Sequence, residues 1–97
     1  MALITPQELA DELHIEPSLI ELATLGTLIK DASAIIRGSI DSQLTEQVAL
    51  ELASEQFNRL VGSVATSLYY DRALTDGFSH GQMIILQQLT GIIKGGA

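Results

Sequence analysis

Apolar residues recur along this chain at alternating steps of three and four, the spacing of one face of an α-helix. The pattern is clearest in the second half, where an apolar stripe lies opposite a mostly polar one. The apolar stripe consists of Ala49, Ala53, Phe57, Leu60, Val64 and Leu68, and the opposite one of Gln47, Glu51, Glu55, Asn58, Gly62 and Thr66. An earlier run has the same spacing, through Leu22, Leu25, Ile29, Ala32 and Ile36. These runs predict two long helices, from Ser18 to about Arg37 and from Thr45 to about Arg72.

Capping signals predict where the helices begin. A Ser or Thr followed three residues later by Glu or Gln is the capping-box pattern. It occurs at Thr5 with Glu8, at Ser18 with Glu21 and at Ser79 with Gln82. A short first helix is expected to stop near His14, because Glu16 precedes Pro17 and is pushed toward extended conformations.

Glycines predict where helices end. Gly38 is expected to cap the second helix, since glycine is the commonest residue just past a helix C-terminus. The last helix is predicted from about His80 to Lys94. The glycines expected in turns or caps of this region are Gly77, Gly81, Gly91, Gly95 and Gly96.

Length and composition agree with this pattern. The chain has 97 residues, of which 46% are hydrophobic and only 4% aromatic, so the interior must be filled by Leu, Ile, Val and Ala. We predict one all-α domain over residues 1–97, a compact bundle of about four helices with one short N-terminal and two long central helices.

The charge balance changes the functional picture. Five basic residues against twelve acidic ones give a net charge of −7, and such a surface repels phosphate. The cations are spread along the chain at Lys30, Arg37, Arg59, Arg72 and Lys94. The sequence has no cysteine, no basic leader followed by an apolar run, and no apolar stretch near the ~20 residues that span a bilayer. We therefore expect a cytoplasmic protein that binds neither ordinary nucleic acid nor membranes.

No catalytic pattern stands out. His14 and His80 lie at predicted helix edges without metal-ligand spacing, and the carboxylates fall on helix surfaces or in first turns. We predict a protein that is not an enzyme, with no catalytic residue, metal or cofactor. The histidines are expected to be exposed.

One segment is similar to a helix-turn-helix unit. The similarity lies in Ala10, Leu13, Ile15 and Ile20, with His14 where a turn glycine is commonest. The helix that starts at Ser18 would then enter the major groove. It carries no Lys or Arg before Lys30, so it lacks the cations that make phosphate contacts. A tight corner between packed helices is the favoured interpretation.

Two features point to protein partners. The last helix is apolar on more than one face, so it is either a central core element or part of it docks on another subunit. The third helix ends in Tyr and Arg, residues enriched at interface hot spots, although one Tyr in the core and one at the helix end is an equal alternative. The candidate interface residues are Tyr69, Tyr70, Arg72, Ile84, Ile85, Ile92 and Ile93.

The order of these features resembles the head–tail connector proteins of tailed bacteriophages, also called head-completion or adaptor proteins. The similarity rests on the opening Leu3-Ile4-Thr5 and the ending of the first helix at residues 12–15. It also rests on Leu68-Tyr69-Tyr70-Asp71-Arg72 at the end of the third helix, on the apolar second helix and on the overall length. A Pro-Tyr-Arg-like stretch that the family often has near its C-terminus is absent here, and the linker before the third helix is short.

This resemblance implies a ring of identical subunits under the portal protein that bridges capsid to tail-side connector proteins. DNA would only pass through the channel, past an acidic wall. The location would be the virion head–tail junction, with the host cytoplasm before assembly. The alternative is a small helix-turn-helix regulator of phage or prophage origin.

Overall fold

The computed structural model describes residues 2–96, which form four helices and contain no strand. In chain order they are α1 (Pro6–Glu12), α2 (Leu19–Ile40), α3 (Glu46–Tyr70) and α4 (His80–Gly96). The predicted all-α bundle, with one short N-terminal and two long central helices, is confirmed. The three capping boxes are also confirmed by reciprocal hydrogen bonds in each.

The core lies between α2 and α3, which run antiparallel because only residues 41–45 join them. The predicted apolar stripe of α3 is buried in full, against Leu25, Leu28, Ile29, Ala32 and Ile36 of α2. Phe57 is the one aromatic side chain among the buried residues described, so the expected aliphatic interior is confirmed. Each fully buried Leu or Ile side chain favours the folded state by about 1.5–3 kcal/mol.

A polar cluster ties the two helices where they meet the connector. The hydroxyl of Ser33, fully buried, donates to Glu46 Oε1 at 2.7 Å and accepts from Arg37 Nε at 3.1 Å. Arg37 Nη1 also donates to the carbonyl of Leu44 at 3.4 Å. Arg37, a cation in the last turn of α2, is thereby placed beside the start of α3.

The N-terminal segment and α1 cover one side of this hairpin. Asn58 accepts from the backbone N–H of Ile4 at 2.8 Å and donates to the carbonyl of Ala2 at 2.9 Å. Gly62 is buried, and a Cβ there would lie 3.5 Å from Ile4 and Glu12 side-chain atoms. The stripe of α3 opposite its apolar face is therefore partly covered by the N-terminus.

The other side of α3 is covered by α4, which is tied to α3 by a buried amide. Gln82 Nε2 donates to Ser63 Oγ at 3.1 Å and to Ser67 Oγ at 3.0 Å. Its Oε1 accepts from the N–H of Ser79 at 2.8 Å in the capping box. Among the residues described, no buried side-chain nitrogen or oxygen lacks a hydrogen-bond partner.

Several helix ends differ from the sequence prediction. α2 does not stop at Arg37 with Gly38 as its cap; it continues to Ile40, and Asp41 is the cap. Ile40 is buried in the core, and burying it outweighs the helix penalty of glycine, about 1 kcal/mol. α3 ends at Tyr70, so Arg72 lies in the following loop.

Most of the glycines expected in turns are helical. Gly81, Gly91 and Gly95 lie inside α4, where backbone hydrogen bonds continue to Gly96. Only Gly77, with φ of +68°, has the turn conformation that was predicted for it. In addition, α3 bends at Ala53, which has φ −152° and ψ 52°; no proline or glycine accounts for this bend.

Candidate subunit interface

The end of α3 carries the first group of predicted interface residues. Tyr70 is 73% exposed, whereas Tyr69 is half-buried against the core. Their rings meet edge to face, with centroids 5.1 Å apart and an interplanar angle of 89°. Arg72 is exposed in the loop that follows. Tyr70 and Arg72 are thus both on the surface, where a partner subunit can reach them.

The second predicted group lies on α4 and divides between core and surface. Ile93 is buried in the core together with Leu86 and Leu89, and Ile85 is half-buried against it. Ile84 and Ile92 remain exposed. α4 therefore completes the core and also presents apolar side chains to solvent.

The most exposed large apolar side chains in the described chain are at neither of these places. Leu19 and Ile20, in the first turn of α2, are 86% and 80% exposed. We call this pair the knob. Nothing in the apolar spacing distinguishes the knob from core positions, and Ile20 also matches an apolar position of the helix-turn-helix pattern. Helical spacing predicts which residues share a face, but it does not show where the neighbouring helix ends and leaves part of that face uncovered.

A concave apolar surface lies near the other end of α2. This cleft, of about 210 Å³, is lined by the apolar side chains of Leu44, Val48, Leu52 and Ile93 and by Asp41, Gln43, Thr45 and Lys94. Lys94 Nζ lies 3.9 Å from Asp41 Oδ2 at its rim, and both side chains are about half exposed. The first turns of α3 contribute Val48 and Leu52 to this cleft, and α3 bends directly after them, at Ala53.

Charge is distributed unevenly between these surfaces. Residues 2–29 contain five acidic residues and no Lys or Arg. Glu16 and Glu21 flank the knob in sequence, and Glu16 is exposed. The first cation along the chain is Lys30, and the last is Lys94, in the cleft. The segment that carries the knob is therefore acidic, whereas the cleft has Lys94 beside Asp41 at its rim.

A larger cleft lies between the end of α3, the α3–α4 loop and the start of α4. It has a volume of about 390 Å³ and includes Tyr70, Asp71, Asp76 and Gln82 in its lining. The Asp71 carboxylate accepts hydrogen bonds from the N–H of Thr75 at 2.8 Å, the N–H of Ala73 at 3.2 Å and the Thr75 hydroxyl at 3.3 Å. These bonds, led by that from the Thr75 N–H, lower the pKa of Asp71. The Asp71 carboxylate thus holds residues 71–75 of the α3–α4 loop together.

The remaining polar candidates are dispersed. His14 and His80 are both exposed, as expected. Within residues 2–96, no group of three or more His, Asp or Glu side chains is placed to hold a metal ion.

The corner between α1 and α2 has one property of a helix-turn-helix turn. His14 adopts the left-handed conformation, with φ of +57°, at the position where that motif most often has glycine. Ala10 is buried and Leu13 and Ile15 are half-buried, but Ile20 points to solvent. Three of the four apolar positions of the pattern are therefore packed.

Comparison with known protein families, with curated proteins and with solved structures finds no significant match to this chain. None of its described helices combines the length and apolarity needed to cross a membrane.

Proposed function

We propose that this protein is a phage structural subunit, a head–tail connector that assembles into a ring under the portal and bridges capsid to tail around the DNA channel. The observation that carries the proposal is the exposure of large apolar side chains at separate places on a small acidic bundle. Leu19, Ile20, Tyr70 and Ile84 are all on the surface while the core is complete without them.

A ring of identical subunits needs two different complementary surfaces on each subunit. Exposed apolar patches on distinct elements are the physical basis for such surfaces, because apolar area removed from water drives association. The predicted interface residues Tyr70, Arg72, Ile84 and Ile92 belong to the end of α3, the following loop and α4, whereas the knob belongs to the first turn of α2.

The net charge of −7 suits a wall along which DNA slides. Phosphate contacts with Lys and Arg hold DNA, and an acidic channel avoids them. The proposed partners are other copies of this chain, the portal protein and tail-side connector proteins, and the proposed location is the virion head–tail junction.

The direct test adds the purified chain to tail-less capsids that carry the portal of the phage encoding it. Cryo-electron microscopy should then show ring density beneath the portal. The double variant Tyr70→Gln/Ile84→Gln should reduce occupancy, and Ile35→Gln, which changes an exposed residue outside the predicted interface, is the matched control. A chain that stays monomeric and leaves the portal bare would contradict the proposal.

The second candidate is a helix-turn-helix regulator, and the left-handed His14 at the α1–α2 corner favours it. The start of α2 opposes it, since Leu19, Ile20 and Glu21 stand where cations and base-reading side chains are expected. A gel-shift series discriminates between the two functions. Binding at ~50 mM salt that weakens steeply as salt is added would support the regulator, and no binding at that salt would remove it.

A further inference from the structure

The two most exposed apolar side chains and the apolar cleft lie near opposite ends of one helix. Leu19 begins α2, and Asp41, which lines the cleft, directly follows its last residue. A helix of 22 residues is about 33 Å long at about 1.5 Å per residue. A single molecule therefore cannot place its own knob in its own cleft.

The cleft is large enough to receive a side chain of the knob. The knob consists of two neighbouring aliphatic side chains that project from a helix start. The cleft, at about 210 Å³, is larger than a cavity of ~150 Å³ that accepts benzene, so it has room for at least one of these side chains. Val48 and Leu52 in its lining are themselves 39% and 38% exposed, so an occupant would cover apolar surface on both partners.

The charges beside these surfaces are complementary. Glu16 is exposed three positions before the knob, in a segment without Lys or Arg. Glu21 follows the knob directly, and one of its carboxylate oxygens accepts from the N–H of Ser18 at 3.4 Å. The cleft has Lys94 at its rim, and the 3.9 Å separation from Asp41 leaves its half-exposed ammonium accessible to a second carboxylate. Opposite charges across an interface fix its register and favour the matching partner.

We infer that the occupant of the cleft is the knob of a second copy of this chain, so that subunits join head to tail through Leu19 and Ile20. Such a contact uses different surfaces on the two subunits, and it generates a closed ring or an open filament. The inference deepens the proposed function, because it names residues through which connector subunits would contact one another. These are the start of α2 on one subunit and, on the next, a cleft that includes Ile93 and Lys94 of α4. Two aliphatic side chains make a small interface, so we expect association with a Kd of about 0.1–1 mM.

The test is a complementation experiment followed by sedimentation velocity at about 0.15 M salt, where the Debye length is about 8 Å. The knob variant is Leu19→Gln/Ile20→Gln, and the cleft variant is Val48→Gln/Leu52→Gln. Glutamine keeps helix propensity close to that of leucine, and circular dichroism verifies that each variant folds. Ile35→Gln on α2, exposed but outside both surfaces, is the matched control.

The wild-type chain and the control should both show a mass that rises with concentration, and each double variant alone should stay monomeric. An equimolar mixture of the two variants should form a 1:1 dimer and nothing larger, because one intact knob and one intact cleft remain. If the cleft variant unfolds, Lys94→Glu tests the same surface without altering an apolar contact, and it should weaken self-association. A wild-type monomer, a knob variant that associates like wild type, or a mixture that stays monomeric would each overturn the inference.

These outcomes separate this contact from the connector proposal. A chain that still forms rings on portal-bearing capsids after loss of the knob contradicts the knob–cleft contact and leaves the connector function standing. A chain that associates through the knob but leaves such capsids bare contradicts the connector function and leaves the contact standing.

Discussion

Large apolar side chains are exposed in the first turn of α2 and mostly buried in the rest of the same helix. From Leu25 onward, the apolar residues at helical spacing are buried against α3, and Leu25 itself has no exposed surface. One and a half turns earlier, Leu19 and Ile20 lie almost wholly in solvent. The fold therefore buries the later apolar face, whereas residues 2–96 leave Leu19 and Ile20 in the first turn largely uncovered. Residues of the same type within one helix thus differ in their surroundings: the buried ones stabilise the fold, and the exposed ones are accessible to a partner.

The largest expected effect comes from truncating the buried member of this comparison. Leu25→Ala should lower the free energy of unfolding by about 2–5 kcal/mol, because it removes a fully buried side chain and leaves a cavity. Urea unfolding followed by circular dichroism measures it. Leu19→Ala is the matched control, the same truncation six residues earlier in the same helix, and it should change stability by less than about 0.5 kcal/mol. Equal losses in both variants would break the distinction between the two parts of α2.

A similar contrast exists in α4 between two glutamines, of which Gln82 is buried and Gln88 is exposed. Gln82→Ala should destabilise the fold by about 1–3 kcal/mol, since the hydroxyls of Ser63 and Ser67 lose their buried partner. Gln88→Ala, at an exposed position of the same helix, is the control and should be nearly neutral. Thermal unfolding of both variants measures the difference, and a neutral Gln82→Ala would show that the amide does not tie α4 to α3.

Most of the fold follows from signals that act over a few residues. The capping boxes and the spacing of Ala49 to Leu68 predict helix starts and a buried stripe, because both depend on local geometry. The C-terminal end of α2 cannot be predicted from such local signals. Gly38 indicates a helix end, but the helix continues because Ile40 is buried in the core. The N-terminal anchor through Asn58 joins residues more than 50 positions apart, and no local pattern indicates it.

The candidate site was predictable only in part. Tyr70, Arg72, Ile84 and Ile92 were singled out by residue type, and all four are on the surface. The knob was not, because Leu19 and Ile20 differ from core residues only in what packs against them. The cleft brings the α2–α3 connector and the start of α3 together with Lys94 of α4, and such a combination depends on how three segments meet.

A smaller change in stability is expected at the C-terminal end of α2. Gly38→Ala should raise the free energy of unfolding by about 0.5–1 kcal/mol, because the position is helical and a Cβ there meets nothing within 4 Å. Gly77→Ala is the opposite control and should lower stability, since the φ of +68° at this position strains any residue with a Cβ. Chemical unfolding measures both. A destabilising Gly38→Ala would mean that α2 ends before Ile40.

The smallest effect concerns the α3–α4 loop under acid. The pKa of Asp71 is lowered in the folded chain by its hydrogen bonds to Thr75 and Ala73, so its contribution to stability is present above the unfolded pKa of about 3.8. That contribution is lost as pH falls through the lower folded value. Nuclear magnetic resonance should show the Thr75 amide shifting with a midpoint below 3.8, and Asp71→Asn should abolish that transition. A midpoint at or above 3.8 would contradict the loop geometry.

Self-association through the knob of one subunit and the cleft of the next is the central proposal for this chain. Sedimentation velocity of the wild-type chain, from low concentration to about 1 mM, tests it most directly. The expected result is a sedimentation coefficient that rises with concentration and falls back to the monomer value in Leu19→Gln/Ile20→Gln. A single monomeric species across the whole range, for wild type and variant alike, would contradict the claim.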